Sequence, residues 1–67
     1  MKITYDSKND LLYIRIDPRK QQLENIRVKE NIVLDIGEDD KLVGIEILDA
    51  SKTLDLSQIL PATVETV

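Results

Sequence analysis

The chain is 67 residues long, carries a net charge of −4 at neutral pH and contains no Cys, His or Trp. That length makes one domain, residues 1–67, near the size at which a single hydrophobic core is barely sufficient. The missing residue types exclude disulfides, thiolate metal sites and His-based acid–base or nucleophilic pairings. The acidity argues against direct nucleic-acid binding, which draws on clustered Lys and Arg. No charged n-region followed by an apolar run opens the sequence, and no apolar run approaches membrane-spanning length, so a cytoplasmic protein without a membrane partner is expected.

Taken in chain order, Lys2–Tyr5 reads as a first short strand with Ile3 and Tyr5 on one face. Asp6-Ser7-Lys8-Asn9-Asp10 is rich in turn-forming residues and reverses the chain. Leu11–Ile16 is a second strand, with Leu12, Ile14 and Ile16 opposed to Leu11, Tyr13 and Arg15. Pro18 ends it, because Pro cannot donate to a ladder. Gln21–Val28 is irregular. Ile26 and Val28 alternate properly but Leu23 has the other parity, which predicts a bulge or an edge strand that begins late.

Asn31–Ser51 organises the rest: two β-rich runs flank a polar tetrad, the signature of a hairpin. A loop of Gly37–Asp40 pairs Ile36 with Lys41, Leu34 with Val43 and Ile32 with Ile45. Ile32, Leu34 and Ile36 then share a core face with Val43, Ile45 and Ile47, while Val33, Asp35, Leu42, Gly44 and Glu46 form the other face. After Leu48 the period changes. Asp49 is placed to cap a helical turn starting at Ala50, and Asp55 or Ser57 to cap a second. Leu60 precedes Pro61, so regular helix stops there. Ala62–Val67 either frays or runs along a sheet edge of its own or a neighbouring subunit. The fold class expected is α+β: a small antiparallel β-meander of four to five strands followed by a short C-terminal helical segment.

Val43-Gly44-Ile45-Glu46-Ile47-Leu48-Asp49-Ala50-Ser51 resembles the most characteristic segment of DUF2283, a small bacterial and archaeal domain of unknown function sometimes described as YuzE-like. Met1-Lys2-Ile3-Thr4-Tyr5-Asp6, Asp10-x-Leu12-Tyr13-Ile14 and Val33-Leu34-Asp35 resemble the family's other marks. One departure is visible, since the family usually carries Gly near the end of the hairpin loop, where this chain has Asp40. The resemblance implies a compact domain of several antiparallel strands followed by a helical piece. It implies no established activity.

Candidate functional residues are Tyr5, Asp6, Asp10, Tyr13, Asp35, Gly44, Glu46 and Asp49. Most have structural roles open to them. Asp6 and Asp10 bound a turn, Asp49 caps a helix, Glu46 can pair with Arg15 or Arg27, and Gly44 admits a close neighbour such as Tyr13 or a partner chain. No catalytic, cofactor or metal site is assigned. The leading expectation is a non-catalytic interaction or accessory module, antitoxin-like by analogy with other small acidic bacterial proteins. It is expected to be a homodimer joined through Leu11, Tyr13, Val33 and Leu42, with a basic protein as a further partner met first at the Glu38-Asp39-Asp40 tip. The alternatives are a small metal-dependent hydrolase built on Asp35, Glu46 and Asp49, or a small-ligand binder with a pocket between sheet and helix.

Overall fold

The computed structural model describes residues 1–59 and 64–66. Alternating apolar and polar side chains produce strands close to where the sequence places them. β1 (Lys2–Asp6) and β2 (Leu11–Arg15) form an antiparallel hairpin in which Ile3 faces Ile14 and Tyr5 faces Leu12. β3 (Glu24–Lys29), β4 (Ile32–Ile36) and β5 (Leu42–Ile47) form a second antiparallel unit. Pairing of β2 with β5 joins the two units, and β6 (Val64–Thr66) adds parallel to β1. The order is β3-β4-β5-β2-β1-β6, a mixed sheet of six strands in the expected α+β class. The meander is local to each unit. Between Ile16 and Leu23 the chain passes from the middle of the sheet to its edge, so β2 to β5 take a Greek-key order. β6 settles one alternative for the tail, since Val64–Thr66 runs along the chain's own sheet edge; Leu60–Thr63 and Val67 lie outside the described residues.

β3 begins late, at Glu24, one of the two alternatives offered by the parity of Leu23, and it carries a bulge further along, between Arg27 and Lys29. The central hairpin keeps its expected faces over Ile32–Asp35 and Gly44–Ile47 but not its register, and next to the loop Leu42, expected on the outer face, pairs with Ile36 of the core set. Leu34 pairs with Ile45 and Ile32 with Ile47, two residues beyond the expected partners. One extra residue lies in the loop, where the Gly37 N–H donates to the Lys41 carbonyl at 2.8 Å. The other is Val43, an extra residue on β5 opposite the step from Asp35 to Ile36. A shift of two preserves side-chain parity, so the core face survives the correction.

Within the loop, Glu38–Asp40 forms a single 3-10 turn, with Asp39 at φ 60° and Asp40 at φ 57°. Gly37 is needed for space: a Cβ there would lie 2.1 Å from Gln21 Oε1 and 2.5 Å from Val43 Cγ2. Gln21 Oε1 also accepts the Glu38 N–H at 2.8 Å, tying the long connection to the loop.

Two one-turn helices, α1 (Ala50–Thr53) and α2 (Leu56–Ile59), cover one face of the sheet. Leu12, Ile47 and Ala50 are buried there among Ile3, Tyr5, Ile14, Ile45, Leu54, Leu56 and Ile59. Asp55 caps α2, its Oδ1 accepting the Ser57 N–H at 3.1 Å. Among the described residues, no helix is long and apolar enough to cross a membrane.

The positive φ of Asp40 strains a residue with a Cβ, so Asp40→Gly is expected to stabilise the fold by about 0.5–1 kcal/mol. Urea midpoints of the two proteins measure it. A lower midpoint for the glycine variant would contradict the assigned turn.

Candidate functional site

Six of the eight candidate residues fall into two groups on opposite sides of the sheet, while Asp6 and Asp49 stand apart from both. On the helix-covered side, the Tyr5 hydroxyl donates to Asp10 Oδ1 at 2.8 Å. Asp10 in turn accepts the Ser51 N–H at 3.0 Å and the Ser51 hydroxyl at 2.6 Å, while its backbone carbonyl accepts the Ala50 N–H at 2.9 Å. Asp10 therefore caps α1 from the β1–β2 turn. The cap expected from Asp49 is not made: Asp49 lies at φ 48°, in the left-handed region, with no side-chain bond to the helix. A residue in that conformation aims its side chain away from the first turn, and Asp10 fills the vacant position. The bonds from Ser51 and Tyr5 hold the Asp10 carboxyl below the usual range, with the Lys52 charge adding to them. The bond to Asp10 pushes the Tyr5 hydroxyl up. Asp6 closes its own turn by accepting from the backbone of Lys8 and Asn9 and from Asn9 Nδ2 at 2.8 Å.

On the outer side, cross-strand register lines up Tyr13 with Glu46 and Val33, and Arg15 with Gly44, Asp35 and Asn25. Asp35 is 4% exposed, the one buried charged side chain among the described residues. Its Oδ2 accepts the Tyr13 hydroxyl at 2.8 Å and its Oδ1 accepts Asn25 Nδ2. Tyr13 reaches it by lying across Gly44, where a Cβ would stand 2.2 Å from the Tyr13 oxygen and 2.7 Å from Cζ. The close neighbour of Gly44 is thus Tyr13 of the same chain.

Glu46 sits beside this cluster. Burial and the neighbouring Asp35 carboxylate raise its carboxyl, with Arg27 partly opposing them. Burial and the Asp35 bond likewise raise the Tyr13 hydroxyl. Neither arginine forms the expected ion pair with Glu46. Arg15 Nε donates to the Asp17 carbonyl at 2.6 Å, and Arg27 donates to the Glu30 carbonyl.

A carboxyl pair that shares a proton has acid–base capacity. Here both Asp35 oxygens already accept bonds from within the fold, which is the pattern of a structural network. Asp49, required by the metal-dependent alternative, stands exposed at the start of α1, and no three carboxylates converge among the described residues. The apolar patch expected for a dimer is also not open. Val33 is buried at 8% exposure and Tyr13 is committed to Asp35, leaving Leu42, at 38%, as its most exposed member. Asn25 and Ser51 were not foreseen. The parity of Asn25 relative to Ile26 was the available signal for the first, whereas the second depends on a contact 41 residues away in sequence.

The family model described as "Protein of unknown function (DUF2283)" matches residues 2–51, which contain both polar groups. A Methanosarcina mazei protein named "Putative hypoxanthine phosphoribosyltransferase" is 40% identical over 57 residues, covering 85% of this chain and 45% of that protein. "Uncharacterized protein YuzE" of Bacillus subtilis is 38% identical over 48 residues, covering 66% of this chain and 37% of its own length. The chain thus spans less than half of either relative. No solved structure matches it.

Tyr13→Phe deletes a donor to a buried carboxylate and is expected to cost about 1–3 kcal/mol, read as a fall in urea midpoint. An unchanged midpoint would show that water replaces the hydroxyl.

Glu46 has a pKa raised by folding, so its contribution is present below the ordinary carboxylate range and is lost as pH rises through the raised value. Asp6, Asp10 and Asp17, lowered by their bonds, contribute in the opposite sense and are lost on acidification. Glu46→Gln keeps the side chain's size beside Asp35 without the charge. Its thermal midpoint should exceed that of the parent near neutral pH, with the gap closing toward about pH 4. A gap independent of pH would contradict the coupling to Asp35.

Proposed function

The chain belongs to the DUF2283 family, and from that premise we propose that it is a non-catalytic protein-interaction module that works as a homodimer joined at β3. The observation behind this reading is the state of that strand. All six β3 residues are exposed, Ile26 and Val28 at 40% and 51%, and Ile26, paired with Leu34, lies on the side that elsewhere forms the core. One backbone edge of β3 pairs with β4 and the other is free within the described sheet. An unpaired edge strand with exposed β-branched residues is a template for strand addition. A two-fold axis normal to the sheet would lay β3 antiparallel to its counterpart and put the two Ile26 side chains on one face.

The bulge at Val28 and the charges of Arg27 and Lys29 confine such pairing to the first part of the strand. Self-association is therefore modest, and an accessory role in a larger assembly, antitoxin-like in its economy, follows from the same edge. The exposed Glu38-Asp39-Asp40 tip offers a basic protein its first electrostatic contact. A cytoplasmic setting fits a chain without Cys that relies on association for added burial.

Light scattering across concentrations around the micromolar range suited to a modest interface is expected to give the mass of two chains. Ile26→Glu should yield a folded monomer, because Ile26 lies outside the helix-covered cluster. A single-chain mass for the parent at every concentration would overturn the homodimer.

A further inference from the structure

At the end of the sheet away from β3, a cleft of about 400 Å³ opens on the outer face. Lys2 and Thr4 of β1, Tyr13 and Arg15 of β2, and Pro18 and Lys20 of the following connection line it. Three of its six residues are cationic and none is acidic, in a chain whose net charge is −4. We propose that this cleft is a binding site for a small organic phosphate monoester, with the phosphate held by Arg15 and Lys20 and an apolar body resting on Tyr13 and Pro18.

Arg15 is the best-placed group. Its Nε donates to the Asp17 carbonyl at 2.6 Å and its Nη2 to the Arg19 carbonyl at 3.1 Å. These bonds fix the guanidinium without neutralising it, because a carbonyl carries no net charge. An arginine has five N–H donors, so those not engaged here remain for an oxyanion, in a fork that suits two phosphate oxygens. The Asp17 carboxylate is bound by Arg19 at 2.7 Å instead. Lys20 makes no ion pair among the described residues and stands between this cleft and a smaller polar one bordered by Asp17, Glu38 and Asp39. Lys2 is only loosely held, in an exposed pair with Glu65 at 3.1 Å of the kind worth little in water.

The remaining walls are apolar for the most part, the pattern of a small-molecule site in which a few charged groups orient the ligand. A dianionic phosphate matches two or three cations better than a carboxylate does. The overall acidity of the chain opposes any anion at long range. That opposition fades beyond a Debye length of about 8 Å in physiological salt, whereas the cleft cations act at contact. A polyanionic nucleic acid would extend past the cleft onto the acidic surface and gain much less.

Phenyl phosphate is a direct probe, titrated into the full ¹⁵N-labelled chain and followed by amide shifts. Saturable shifts confined to β1, β2 and residues 16–20 are expected, with phenyl phosphate binding at least several-fold tighter than inorganic phosphate and phenol giving none. Lys20→Gln and Arg15→Gln should each weaken binding about tenfold, as loss of one charge-assisted contact implies. Lys8→Gln, in the exposed turn, should leave it unchanged. Arg15→Gln also removes the bonds that anchor the connection, so Lys20→Gln carries the decision. Absence of saturation at millimolar probe, equal binding by the lysine variant, or shifts centred on Glu38–Lys41 would each overturn the assignment. The dimer variant Ile26→Glu should bind phenyl phosphate as the parent does, which keeps this test independent of association at β3.

Discussion

The pairing of β2 with β5 is the constraint on which the rest of the structure depends. It is the one seam between the N-terminal hairpin and the three-stranded unit, and it sets Leu12 against Ile47 and Tyr13 against Glu46. On one face that seam places Leu12 at the centre of the core, fully buried. On the other it carries Tyr13 over Gly44 to Asp35, a residue 22 positions away. The cores of small domains leave little margin, so a seam that is satisfied on both faces matters more here than in a larger fold.

Burying the Asp35 carboxylate is costly unless every lone pair finds a donor. Tyr13 and Asn25 provide donors to its two oxygens, and no buried side-chain N or O among the described residues lacks a partner. The cluster also explains how the hairpin selects its register. Hydrophobic alternation is indifferent to a slip of two residues, because the same faces stay buried. A polar cluster is not. In the register expected from loop length alone Asp35 would face Leu42, whereas in the observed one it faces Gly44, the one residue of β5 small enough to let Tyr13 across. The apolar pattern thus supplies most of the burial energy, and a few hydrogen bonds decide between arrangements that the apolar pattern leaves degenerate.

The two ends of the sheet are unlike. At one, β6 covers the edge of β1 in parallel, and a basic cleft lies nearby on the outer face. At the other, β3 is exposed along its whole length. The proposed anion site and the proposed association edge therefore draw on separate parts of one small domain.

The sequence by itself determined the local features: where β1 to β5 lie, which face of each is apolar for most of its length, roughly where the turns fall, that the third strand starts late or irregularly, and that a second helical turn begins near Asp55 or Ser57. These follow from side-chain periods and from residues that bond their own neighbours, so no distant part of the chain is needed. Tertiary structure alone decided the strand order, the two-residue register shift, the parallel seating of β6 and the capping of α1 by Asp10 rather than Asp49. It also turned the outer face, whose Leu11, Tyr13, Val33 and Leu42 look like an open apolar patch in sequence, into a polar network with Val33 buried beside it. The reason is common to all of these. Parity and propensity are properties of a segment, whereas a pairing partner is chosen by which distant group satisfies a buried donor or acceptor, and that choice exists only once the chain has closed on itself.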